Sequence, residues 1–188
     1  MRNIKMTIRY DGSRYKGFQR LKDNDMTIQG KIEDVLSKMA NESIEIIGSG
    51  RTDMGVHAYG QVANFKTASN LSVDKMKTYL YEYLPEDIVI TSLEEVDGRF
   101  HSRYNAKSKV YLYKIYNNKF HDPFLRKYTT HIPKKLDIEL MKEASEYFIG
   151  EHDFSSFCSK NSSVEDKVRE IYDFNMDYDK GNPHIINF

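Results

Sequence analysis

The run Gly48-Ser49-Gly50-Arg51-Thr52-Asp53-Met54-Gly55-Val56-His57 holds the densest chemistry in this sequence. A cation, a hydroxyl and a carboxylate stand consecutively among three glycines. Glycine permits positive φ and lets backbone approach a ligand closely. Arg51 offers a planar fork for phosphate, and Asp53 offers a nucleophile or a general base. The bland readings stay open: Asp53 could cap a turn or short helix, with Arg51 as its ion-pair partner. His57 is read first as a hydrogen-bonded packing residue. The run lacks the Gly-Lys-Ser/Thr ending of a nucleotide-binding P-loop. A metal cluster of Asp53, His57 and His101 fits no recognised ligand spacing.

These residues need a scaffold. Ile4, Met6, Ile8 and Tyr10 alternate with polar residues, the period-two pattern of a half-buried strand, which Asp11-Gly12-Ser13 punctuates. Thr27 caps an expected helix with Ile28, Ile32, Val35, Leu36 and Met39 at helical spacing. Ile44, Ile46 and Ile47 form a short strand leading into the glycine-rich run, and Gln61 to Thr67 reads as a strand beyond it. Ser72 to Leu84 is expected to be helical up to Pro85. Short strands are expected at 88–93 and 99–104. In the C-terminal half, 110–116 and 168–177 read as strands and 136–149 as an amphipathic helix ended by Gly150. The fold class is therefore α+β, with two related units expected at 1–105 and 106–188. The C-terminal unit reads as unfinished, since Ile185-Ile186-Asn187-Phe188 has the pattern of a strand only begun.

Composition bounds the rest. Of 188 residues, 28 are basic and 28 acidic, so the formal net charge is +0. That average hides segregation. Residues 1–25 carry a net +4, residues 99–135 a net +9, and the remainder −13. The stretch 99–135 also interleaves Phe100, Tyr104, Tyr111, Tyr113, Tyr116, Phe120, Phe124 and Tyr128. Cations for phosphates and aromatic faces for unpaired bases suit RNA, although solvated lysines over core tyrosines would read the same way. No apolar run reaches the ~18–20 residues that span a bilayer, and the start lacks a signal-peptide core. Cys158 is the single cysteine. It allows no intramolecular disulfide or multi-cysteine zinc site, so a reduced, cytoplasmic setting is expected.

Five motifs in order carry a resemblance. Gly50-Arg51-Thr52-Asp53-Met54-Gly55-Val56-His57-Ala58, followed by Gly60-Gln61-Val62 and Phe65, resembles the signature of the tRNA pseudouridine synthase A (TruA-type) family. So do Tyr10-Asp11-Gly12-Ser13-Arg14-Tyr15-Lys16-Gly17-Phe18-Gln19-Arg20, Phe100-His101-Ser102-Arg103, the strand 111–117, and the segment 150–157. The resemblance implies a pseudouridine synthase fold and isomerisation of uridine to pseudouridine in tRNA, at positions 38 to 40 of the anticodon stem-loop. It implies no metal and no organic cofactor, and a homodimer with tRNA lying across both subunits.

Residue by residue, Asp53 matches the catalytic aspartate, Arg51 the arginine that helps extrude the target base, and Tyr111 the tyrosine packed on the flipped uracil. Lys16, Gln19, Arg20, His57, Arg103, Lys107 and Lys109 make up the expected RNA-binding set. Met54 and Phe18 replace the family's usual alanine and tryptophan. The family continues into a strand and helix with a Met-Val-Arg-Asn type motif, whose arginine pairs with the catalytic aspartate. Nothing after Phe188 supplies it, so a truncated and nearly inactive form is expected unless a partner completes the site. A non-catalytic tRNA-binding or chaperone module is the alternative class.

Overall fold

The alternation in the first nine-residue strand sets the architecture. In the computed structural model, which describes residues 1–158 and 165–188, β1 runs Arg2–Tyr10 and buries Ile4, Met6, Ile8 and Tyr10 on one face. It is central in a four-stranded antiparallel sheet ordered β2-β3-β1-β4, with β2 Ile46–Gly48, β3 Ala58–Thr67 and β4 Ile88–Val96. Burying each such Ile or Met contributes about 1.5–3 kcal/mol.

Two helices close that face. α1, Ile28–Ala40, begins at Thr27, whose hydroxyl accepts the Gly30 N–H at 3.2 Å, and ends at Asn41 in the left-handed region with φ 51°. α2, Val73–Tyr83, begins at Ser72 and ends before Pro85, which cannot continue a helix. Ile28, Ile32 and Leu36 from α1 join Met76 and Leu80 from α2 in one core with Phe65, Ile88 and Ile90.

Both neighbours of β1 shift register near its C-terminal end. Ile8 pairs with Gln61 but Tyr10 with Ala58; on the other side Thr7 pairs with Ser92 but Ile8 with Ile90. Such irregularities bend a strand and re-aim side chains, and these lie at the end of β1 that meets the glycine-rich loop.

The chain divides into two compact units, Met1–Lys109 and Val110–Phe188. The C-terminal unit contains β5 Lys114–Tyr116, β6 Thr130–His131, α3 Ile138–Glu146, β7 Gly150–Asp153, β8 Val168–Ile171, β9 Asp177–Asp179 and β10 Asn182–Asn187. Its larger sheet is ordered β6-β5-β10-β9, with β5 and β6 parallel, and β7 pairs with β8 separately. Ile115, Ile138 and Ile186 form its small core. The class is α+β.

Three expected strands differ. Residues 99–104 turn instead of extending, because side chains capture the backbone: Asp97 Oδ1 accepts the Arg99 N–H, and His101 Nδ1 accepts those of Arg103 and Tyr104. The β-prone run 110–116 is a strand only over Lys114–Tyr116. Tyr113 and Phe188 exchange backbone hydrogen bonds of 3.1 and 2.9 Å, and no described strand lies beside Val110–Leu112. Residues 168–177 split between two sheets, as β8 pairs with β7 and β9 with β10. Conversely β6 and β7 are too short for periodicity to reveal.

Candidate active-site loop

Residues 49–57 connect β2 to β3, and their backbone is held at Ser49, Gly50, Thr52, Asp53 and Val56. The Ser49 N–H donates to the Val62 carbonyl at 2.8 Å, and Gln61 Nε2 donates to the Gly50 carbonyl at 2.7 Å. The Phe18 N–H donates to the Thr52 carbonyl at 3.0 Å. The Val56 N–H closes a turn onto the Asp53 carbonyl at 3.2 Å, with Gly55 at φ +81° inside it. A side chain at Gly55 would be strained at that φ, so the turn requires glycine.

The segment after β1 forms the other wall. A Cβ on Gly17, which has φ +104°, would meet the Thr52 carbonyl oxygen at 2.8 Å. Tyr10, on the core face of β1, reaches the Thr52 hydroxyl at 2.8 Å. Burial pushes its phenol pKa up, and the bond to Thr52 draws it partly back. Phe18 lies buried against Gly48, where a Cβ would meet its ring at 2.6 Å. His57 turns towards this segment as well: Nδ1 lies 3.2 Å from the Gly12 N, which donates to it, and 3.1 Å from Asp11 Oδ1. With a proton on Nδ1 the ring donates to Asp11; without it, the ring accepts from Gly12.

The segment is itself pinned to the start of β4. Asp87 accepts the Tyr15 hydroxyl at 2.5 Å and pairs with Arg14 at 2.9 Å, and its carbonyl accepts the Asp11 N–H. Burial first, and then the Asp87 carboxylate, push the Tyr15 phenol up to about 12.

Asp53 is exposed, and its carboxylate makes no hydrogen bond or ion pair to any described residue. Arg51 is likewise exposed and does not pair with it. The turn-cap and ion-pair readings of these two residues therefore do not hold among the described residues. What remains is a carboxylate presented to solvent on a fixed backbone. No three His, Cys, Asp or Glu side chains converge among the described residues, and the His101 ring is stacked on Tyr104 at 4.1 Å.

The expected RNA-binding residues fall into several settings. Lys16 Nζ lies 3.9 Å from Met54 Sδ, beside the loop, and Lys109 Nζ stands over Gly50, 3.3 Å from where a Cβ would be. Arg20 is engaged by Glu33 at 3.1 Å and Asp34 at 3.0 Å. Gln19, Arg103 and Lys107 are exposed. Tyr111 is 79% exposed in a stretch without helix or strand ahead of β5, so it is no core strand residue. Tyr10, Gly12 and Gly17 shape the loop, yet as single residues they read only as strand and turn.

A family model described as tRNA pseudouridine synthase matches residues 6–105 and 144–188, which includes the whole loop and both of its walls. The chain belongs to the tRNA pseudouridine synthase family. It is 55% identical over 172 residues to tRNA pseudouridine synthase A 2 of Bacillus anthracis, covering 92% of this chain and 70% of that protein. It is 54% identical over 181 residues to tRNA pseudouridine synthase A of Bacillus sp. strain KSM-64, covering 96% and 74%. The corresponding protein of Caldicellulosiruptor saccharolyticus is 50% identical over 173 residues, covering 92% and 70%. The chain is thus shorter than the family members it matches. Tyr111 falls outside the two stretches matched by the family model.

Proposed function

We propose that this chain is a tRNA pseudouridine synthase that isomerises uridine in the anticodon stem-loop, at positions 38 to 40, with Asp53 as the catalytic carboxylate. The observation that carries this reading is the Asp53 side chain, open to solvent on a turn whose backbone is bonded on both sides. The reaction is an internal exchange. The N1–C1′ bond of uridine breaks, a C5–C1′ bond forms, and the proton lost from C5 balances the one gained at N1. It needs no oxidant or reductant. A carboxylate suits it because it can attack carbon or accept the C5 proton, and a fixed loop holds it at the reacting atoms.

Arg51 extrudes the target base and fills its place, compensating lost stacking through phosphate contacts. Tyr111 packs on the flipped uracil. Lys16 and Lys109 take backbone phosphates beside the loop, with Gln19, Arg103 and Lys107 extending the RNA surface. Residues 1–105 carry the catalytic loop, and residues 106–188 form a second domain. The enzyme works in the cytoplasm as a homodimer, and light scattering of the purified chain tests the dimer. No helix among the described residues is long and apolar enough to cross a membrane.

The decisive experiment compares the unsubstituted chain with Asp53→Asn in tRNA isomerisation and tRNA binding, and robust turnover by the unsubstituted chain removes the expectation of a nearly inactive form. Loss of turnover with affinity retained supports the assignment, and turnover by Asp53→Asn rejects it.

A further inference from the structure

Three buried polar side chains outside the loop form a continuous chain. Asn3 on β1 donates through Nδ2 to the carbonyls of Asp97 and Phe100, both at 2.9 Å. Asn64 on β3 donates to Asn3 Oδ1 at 3.0 Å and accepts the Ser102 N–H on Oδ1 at 2.9 Å. The Ser102 hydroxyl then donates to the carbonyl of Ile47 on β2. All three are at most 2% exposed. Asparagine is depleted in strands, and a buried amide is costly unless satisfied. An apolar pair at positions 3 and 64 would pack the sheet without that demand. What the asparagines add is a set of directed bonds to residues 97–102, which lie in no helix or strand.

The segment held in this way leads directly into Arg103, Lys107 and Lys109. Lys109 stands over Gly50, in the loop three residues beyond the Ile47 carbonyl that Ser102 grips. A lysine at the end of an untethered segment would sample many positions, and binding would cost the entropy of fixing it. Anchoring Ser102 to β2 shortens the free span to Lys109 and keeps that ammonium beside the loop.

We infer that Asn3, Asn64 and Ser102 are positioning residues for RNA binding, holding Lys109 over Gly50 where it takes a phosphate flanking the target nucleotide. The inference rests on the tRNA reading of the loop.

The test measures tRNA affinity across a salt series for the unsubstituted chain, Ser102→Ala, Lys109→Ala and the double variant. Each phosphate contact contributes about one to the slope of log affinity against log salt. Ser102→Ala is expected to weaken binding about five- to tenfold and to reduce the slope by about one, as Lys109→Ala does, with the double variant no worse than Lys109→Ala alone. A merely structural Ser102 would lower Tm and leave the slope unchanged. That result, or additive losses in the double variant, overturns the inference. A readout that needs no substitution is acylation of lysines with and without tRNA: Lys109 is expected to be shielded, and an unshielded Lys109 overturns it. If the unsubstituted chain shows no salt-dependent tRNA binding, the RNA reading itself fails, and the inference with it. A steep slope that Ser102→Ala leaves alone removes only the inference.

Discussion

A Cβ on Gly12 would lie 1.9 Å from the carbonyl oxygen of Val56, well inside any allowed contact. The segment after β1 and the far end of the Asp53 loop therefore touch backbone to backbone. Gly12→Ala must push the two apart, breaking the Gly12–His57 bond at the same point. Expected is a loss of at least about 2 kcal/mol in urea unfolding, together with a fall in isomerisation.

Asp53→Asn should behave in the opposite way. The carboxylate has no partner among the described residues, so unfolding free energy is expected to change by less than about 0.5 kcal/mol. Turnover is expected to fall by at least about 10²-fold. Stability and single-turnover rate measured on one preparation check both halves.

Tyr10→Phe removes the bond to Thr52, the residue immediately before Asp53. About 1 kcal/mol of stability should be lost. Because the bond holds the loop and touches no substrate, kcat should fall more than tRNA affinity. A larger effect on affinity than on kcat would count against this role.

Arg20 is separated from the other cations of the RNA-binding set by its partners. Its guanidinium bonds Glu33, whose carboxylate is buried and also accepts the Ile46 N–H at 2.9 Å and Gln29 Nε2 at 2.8 Å. Arg20→Ala leaves that buried charge with its two neutral donors but no counter-charge, and about 1–2 kcal/mol of stability should go with it, discounted for the half-exposed guanidinium. The salt slope of tRNA binding is expected to stay within experimental error of the unsubstituted chain.

Tyr15 makes a pH prediction. Its folded pKa, about 12, lies above the ordinary value near 10, so the folded state holds the proton more tightly than the unfolded state. The stabilisation is complete below pH 10 and lost as pH rises through about 12. Alkaline unfolding followed by circular dichroism should show that loss, and Tyr15→Phe should remove this part of the pH dependence.

Much of the N-terminal unit was legible in the residues. The β1 alternation, the Thr27 cap and the stop at Pro85 are local signals, and local signals survive folding when a single core rewards them. The C-terminal unit was less legible. Its strands are two to six residues long, and 168–177 serves two sheets, so no period could develop. Segment 99–104 misled because a composition favouring strand lost to side-chain bonds from Asp97 and His101.

The sequence by itself determined the chemical inventory and the family. A carboxylate, a guanidinium and three glycines in one short run, with four further motifs in order, are properties of residue type and spacing. Only the tertiary structure decided how those residues are used. It left Asp53 and Arg51 apart and open to solvent, and it tied Arg20 to Glu33. It also placed Gly12 and Gly17 against the loop and put Lys109 over Gly50. Each of these outcomes depends on distances between residues far apart in the chain. Such distances are set by sheet register and by which buried polar groups must be satisfied, and neither is written in a local pattern.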